Sequence, residues 1–179
     1  MIDSLQQCPE QRLGALRLKL PPAAAPVANY VAVSKMGGLL VVSGQLPFGP
    51  DGKIDPRHIG KLGAGVSSDD GRAAARACGL NILAQVRAHL GSLDPVGRCL
   101  RLGGFVNCAG DFKELPQVMN GASDLMVEVF GDLNVPVPLW LRMRRNLSRH
   151  LACRCWLSPI RAWPWGSWQR PGANASPFR

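Results

Sequence analysis

The chain has 179 residues, 46% of them hydrophobic, enough for one ordinary domain with its own core. It holds no apolar run of the roughly 18 residues that a membrane-spanning helix needs. The formal charge of +9 would suggest a nucleic-acid binder only if it were spread along the chain. Instead, residues 1–132 hold 13 Lys and Arg against 12 Asp and Glu, net +1, whereas residues 133–179 hold eight Arg and no acid, net +8. All five Trp also fall in this second part. Two compositions meet near Asp132. The expected organisation is an α+β domain over residues 1–132 and an Arg/Trp/Pro-rich tail, disordered or out of frame, over 133–179.

The acidic N-terminus has no apolar stretch and does not read as a signal peptide. Cys8, Cys78, Cys99, Cys108, Cys153 and Cys155 form no C-x-x-C pair, so free thiols in a reducing cytoplasm are expected. His58, His89 and His150 are scattered, and no zinc-ligand spacing joins them to the cysteines. Neither a metal nor a cofactor is expected.

In chain order, Ala15 to Leu20 (ALRLKL) alternates apolar and polar and predicts a half-buried strand that Pro21-Pro22 stops. A second short strand spans Val31 to Ser34. Met36-Gly37-Gly38 turns the chain into a mostly buried strand, Leu39 to Gly44. Gln45 to Lys53 is dense in Gly, Pro and Asp and reads as loop. Ser67 and Ser68 before Asp69-Asp70 predict a capped helix running to Leu90, with Gly91 as its stop. Its apolar stripe is Ala75, Cys78, Ile82, Val86 and Leu90. Val96 to Val106 predicts a strand in which Gly103-Gly104 marks a bulge or a close backbone approach. A second helix starts near Pro116, buries Leu125, Met126, Val129 and Phe130, and ends at Gly131. The order β-β-β-α-β-α implies helices packed on one face of a sheet. A closing strand is needed after the second helix. None is legible beyond Asp132, where Pro136, Pro138, Pro159, Pro164 and Pro171 each remove a ladder donor.

Val42-Ser43-Gly44-Gln45-Leu46-Pro47 resembles the S-G-Q-[IL]-P signature of the Rid (YjgF) family, and Pro26 to Tyr30 resembles the P-x-x-x-Y approach before it. Asp111-Phe112 followed by Val118-Met119-Asn120 resembles the D-F-x-x-V-N stretch opening the family's second helix. Gly60-Lys61-Leu62-Gly63 and Asn120-Gly121-Ala122 look closest to the branch labelled endoribonuclease L-PSP-like. The resemblance covers about residues 10–132.

It implies a chorismate mutase-like α+β fold, a homotrimer with a site at each subunit interface, and cofactor-free, cytoplasmic hydrolysis of reactive imines and enamines such as 2-aminoacrylate. Residue by residue, it implies that Tyr30, Ser43 and Asn120 line the pocket, with Gly44 and Gln45 shaping its oxyanion side. On their own residues these positions have plainer readings. Ser43 is a turn-forming hydroxyl, Tyr30 a packed ring with a satisfied hydroxyl, and Asn120 an exposed helix residue. The joint match singles them out. A non-catalytic small-ligand binding module on the same fold is the alternative. Ribonuclease action ranks lower, because residues 1–132 show neither a basic stripe nor a His/Glu set.

The family's carboxylate-anchoring Arg and its final-strand Glu should follow Asp132, and neither motif context is present. The tail's Arg, Pro, Trp, Cys and Ser without Lys, Asp or Glu is what GC-rich coding DNA yields out of frame. Trp163-Pro164-Trp165-Gly166 requires TGG-CCN-TGG-GGN. Read one base earlier, this becomes (Leu/Met/Val)-Ala-(Leu/Met/Val)-Gly, an alternating stretch compatible with a family-type final strand. A frameshift near codons 132–150 is therefore expected, together with poor folding and impaired activity. Nucleotides that gave no alternating apolar strand in the shifted frame would sink it. The rival reading takes Trp140, Met143, Leu147 and Leu151 among Arg142, Arg144, Arg145 and Arg149 as a basic amphipathic helix. Weak, non-specific polyanion binding follows from the tail's charge under either reading.

Overall fold

Two helices, each stopped by a glycine, build the layer that covers the sheet. The computed structural model describes residues 7–25, 29–131, 137–143 and 152–158, the last two as backbone. The longer helix, α2 (Ser68–Leu90), begins where the Ser67 side chain accepts from the Asp70 amide and ends at Gly91, whose φ of 80° is left-handed. Helix α3 (Leu115–Phe130) carries Pro116 in its first turn and ends at Gly131. Ala75, Cys78, Ile82 and Val86 of α2 are fully buried, as are Val118, Leu125, Met126 and Val129 of α3. Both stripes match the spacing read from the sequence.

Strands β1 (Val33–Met36) and β2 (Leu39–Gln45) lie close to expected positions, whereas the short β3 (Lys61–Leu62) and β4 (Gly65–Val66) were not anticipated from the sequence. Then come β5 (Arg98–Asn107), β6 (Val137–Met143) and β7 (Ala152–Ser158). The main sheet has the order β1-β2-β7-β5-β6, and β3 pairs with β4 apart from it. Leu40 and Val42 of β2 and Leu102 and Val106 of β5 face the helices and are buried. The alternate residues Val41, Ser43, Arg101, Gly103, Phe105 and Asn107 lie on the opposite face and stay half-buried. The mixed helix and strand content and this one-sided layering make an α+β fold.

Three readings are corrected. Residues 15–20 are not a strand: helix α1 (Pro9–Ala15) precedes them. It closes with Leu18 N donating to Leu13 O and Arg17 N to Gly14 O, Arg17 being left-handed at φ 52°. Leu18 and Leu20 do pack partly against the core, so the alternation reports half-burial without ladder pairing. The strand placed at 31–34 runs instead from Val33 to Met36. Finally, strands exist beyond Asp132. Strand β7 pairs antiparallel with both β2 and β5, and β6 pairs parallel with β5. Pro138 does not prevent this: it lies on the edge strand, where a missing N–H is tolerated, and Pro136, Pro159, Pro164 and Pro171 lie outside the described residues.

Helix α1 is tied to the far end of α2 by reciprocal bonds. Glu10 N donates to Asp94 Oδ1 at 3.0 Å, Leu93 N donates to Glu10 Oε1 at 3.0 Å, and Arg87 Nε reaches the same oxygen at 3.1 Å. Helices α2 and α3 cross with backbone nearly touching: a Cβ on Gly121 would lie 2.0 Å from the Arg72 carbonyl oxygen. Close approach is also required at Gly104, where a Cβ would lie 2.2 Å from the Met119 sulfur. Of the two glycines, Gly104 therefore marks a close approach, while the irregularity in β5 lies between Cys99 and Arg101.

Gly121→Ala should destabilise the fold by about 1–3 kcal/mol, because the obstructing atom is backbone and cannot swing away. Gly14→Ala, with open space around it, should be neutral or slightly stabilising. Denaturant midpoints of the two variants compare them; equal midpoints would contradict the crossing.

Candidate functional site

Strand β2 delivers Ser43, Gly44 and Gln45 at its C-terminal end, where the ladder with β7 shifts register between Val42 and Gln45. Such an irregularity re-aims side chains at a strand end. The Ser43 amide donates to Ala32 O at 2.9 Å and its hydroxyl to Val31 O at 2.7 Å. With its proton engaged, the Ser43 oxygen offers a ligand lone pairs rather than a donor. Gln45 is 5% exposed, and its Nε2 donates to Ser43 O at 3.1 Å. Gly44 is half-buried between them.

The same two carbonyl contacts bring the segment after Tyr30 against Ser43. Tyr30 is 46% exposed, and its hydroxyl bonds to no other described residue. Val31 beside it is 65% exposed. Asn120 is exposed on α3, in the helix layer, whereas Ser43 lies on the sheet face opposite the helices. No hydrogen bond joins it to Tyr30, Ser43 or Gln45 among the described residues. One subunit thus gathers Tyr30, Ser43, Gly44 and Gln45, and leaves Asn120 apart.

Sequence reasoning missed two buried amides on α2. Asn81, 1% exposed, donates through Nδ2 to Phe48 O at 2.8 Å and to Ala77 O at 2.9 Å. Gln85, 6% exposed, donates through Nε2 to Ala24 O at 2.6 Å. The available signal was polar residues one turn apart next to the apolar stripe.

An open groove of about 570 Å³ follows Gln45, lined by Pro47, Asp51, Lys53, Asp55, His58 and Ala77 among others. None of the five predicted site residues lines it. The side chain of His58 also borders a small inner cavity of about 20 Å³ beside Asn107, room for one water. In the groove's 3-10 turn (Pro56–His58), Arg57 donates from Nη2 to Asp55 at 2.7 Å and from its amide at 2.9 Å. These bonds, the side-chain one first, hold the Asp55 carboxyl down at about 2 against an ordinary 3.8. Among the described residues no group of three His, Cys, Asp or Glu could hold a metal. Cys8, Cys78, Cys99 and Cys108 form no disulfide with one another, and the last three are buried. No helix among the described residues is long and apolar enough to cross a membrane.

Residues 10–141 match the family model described as "YjgF/chorismate mutase-like, putative endoribonuclease". Protein TCP17 of Trypanosoma cruzi is 48% identical over 122 residues, 68% of this chain and 72% of that protein. The crystal structure of a "putative endoribonuclease" from Shewanella oneidensis is 33% identical. The match covers 85% of this chain and 99% of that one, with a TM-score of 0.78. E. coli TdcF, solved with bound serine, shares 20% identity over 78% of this chain and 92% of its own, with a TM-score of 0.52, a likeness of fold alone.

Because the folded pKa of Asp55 lies below its unfolded value, the pair with Arg57 favours the folded state above pH 3.8 and ceases to do so as pH falls through about 2. Carboxyl-carbon NMR should give Asp55 a midpoint near 2, moving up toward 3.8 in Arg57→Gln. An unmoved midpoint would remove Arg57 as the cause.

Proposed function

The chain belongs to the YjgF/chorismate mutase-like family, and on that premise we propose that its site hydrolyses small imino and enamino acids to 2-keto acids and ammonia. In this reaction the oxygen of water bonds to the imine carbon, the carbon–nitrogen bond breaks, and the nitrogen leaves as ammonia. No metal or cofactor enters this scheme. It needs hydrogen-bonding groups fixed where charge and protons move.

One observation carries the reading. Ser43 lies on the sheet face opposite the helix layer with its own proton committed to Val31 O, the residue next to Tyr30, whose hydroxyl has no partner among the described residues. Ser43 accepts a proton-bearing group, from the attacking water or the substrate nitrogen, and Tyr30 donates to the opposite side. Gly44 leaves the backbone open to a ligand, and Gln45 holds the Ser43 carbonyl from behind. The serine bound to TdcF is of the same size and class as a 2-imino acid, which supports a small amino-acid-like ligand.

We further propose that the uncovered sheet face is where copies of this chain meet as a homotrimer. Exposed Tyr30 and Val31 adjoin it, and half-buried Val41 and Phe105 lie on it. Asn120, remote from Ser43 within one chain, then enters the pocket from a neighbouring copy. The outer side of the helix layer is ion-paired instead, Arg72 with Asp124 and Arg76 with Glu128, as suits a surface left in water. The family's Arg anchor for the substrate carboxylate has no motif match here. Losing a charged bond of about 1.5–3 kcal/mol weakens substrate binding by about 10- to 100-fold.

The test is ammonia release from enzymatically generated 2-aminoacrylate, run beside cleavage of a defined RNA, with sedimentation for subunit count. The expected result is trimeric protein with slow ammonia release and a KM about 10- to 100-fold above that of a relative carrying the anchor. Ser43→Ala and Tyr30→Phe should each lower kcat/KM about tenfold or more. RNA cleavage without ammonia release would replace this reading with nuclease action. Binding of serine or a 2-keto acid without turnover would make the chain a ligand-binding module.

A further inference from the structure

The buried polar side chains among the described residues are Gln45, Asn81 and Gln85, all of them amides. Each donates to a backbone carbonyl on one of two segments: Gln45 to Ser43, Asn81 to Phe48, and Gln85 to Ala24. Ser43 and Phe48 lie on either side of the end of β2, and Ala24 precedes Tyr30 by six positions in the sequence. We infer that Asn81 and Gln85 are positioning residues for the candidate site: through these two amides α2 holds the segments that carry Ser43 and Tyr30. The inference rests on the function proposed above for what is positioned, and on geometry for the positioning itself.

Folding does not need amides at these places. They are interspersed with Cys78, Ile82, Leu83 and Val86, all fully buried, so leucine at 81 or 85 would fit an apolar neighbourhood. Ala24 and Phe48 are half-buried, so water can reach their carbonyls once the loops loosen. The Oδ1 of Asn81 is buried with no partner, an orphaned acceptor that leucine would not leave. What the amide supplies, and leucine cannot, is a fixed position for Phe48 O. Between Phe48 and Gln45 lies buried Pro47, whose ring restricts φ, so a carbonyl pinned at 48 is transmitted to the end of β2 with little slack. The Asn81 Nδ2 contact to Ala77 O, one turn back on the same helix, fixes the amide's own rotation.

The test uses full-length Asn81→Leu and Gln85→Leu, with Gln85→Met as the length-matched substitute should Gln85→Leu not fold. Hydrogen exchange is followed at Tyr30 to Ala32 and at Leu46 to Gly49, with α3 and β5 as internal references. The expected result is faster exchange in the two segments, the reference elements unchanged, and a melting temperature at or near that of the parent. In turnover of 2-aminoacrylate, kcat should fall on the order of 10- to 100-fold while KM changes far less, as misorientation of reacting groups predicts. Unchanged exchange in both segments would overturn the inference, and so would losses of kcat and KM in step with melting. A parent without ammonia release would refute the proposed reaction, leaving the exchange measurement to decide the positioning alone.

Discussion

The fold depends on the closeness with which α2 and α3 approach each other over the sheet. At the crossing, the backbone of Gly121 lies against the carbonyl of Arg72, and Gly79 of α2 lies within van der Waals reach of Leu125 and Ala122. A side chain at Gly121 would push the helices apart, because it meets fixed backbone, whereas one at Gly79 would displace mainly the tip of Leu125. Gly104 repeats the device one layer down by admitting Met119 to the strand surface. Dispersion and hydrophobic burial reward such contact only when surfaces interlock without gaps. The glycines set how much of the core forms.

That packing also explains where the candidate site lies. Helices cover one face of the sheet and leave the other with alternate residues half-exposed, Ser43 among them. The ladder of β2 shifts register on this same side, and no described helix packs there. The buried amides belong to the same logic. Polar groups inside a helix-on-sheet core are costly unless bonded, and here all three donate to backbone carbonyls, of Ser43, Phe48 and Ala24.

Legibility differed by element for identifiable reasons. Helix α2 was readable end to end because its cap, stripe and stop glycine agree. Residues 15–20 misled because half-burial alternates in an extended segment as it does in a strand; the left-handed Arg17 is invisible to periodicity. Strands β6 and β7 were missed because prolines were counted over the whole tail rather than placed against an edge. A backbone ladder needs only extended chain with N–H and C=O groups to pair, whatever the side chains. The family match runs on to residue 141. Ser43, Gly44 and Gln45 stood out through their motif, whereas Asn81 and Gln85 did not, since two amides beside an apolar stripe look like noise until their carbonyl partners are seen. Asn120 was singled out by its motif alone, and it stands exposed on α3, away from Ser43.

The ion pairs on the outer side of the helix layer carry one more consequence. Arg72 meets Asp124 and Arg76 meets Glu128, so the rungs repeat every four residues and the two helices point the same way. Sliding α3 by one turn, about 5.4 Å, would set Arg76 opposite Asp124 and Arg72 opposite Asn120, giving up a single rung. Charge alone is thus a poor ruler for alignment. The same slide would bring Gln117 to the place of Gly121, driving its Cβ into the Arg72 carbonyl. Steric exclusion at one glycine chooses between two alignments that electrostatics would nearly tolerate, and so decides which side chains of α3 the outside world meets.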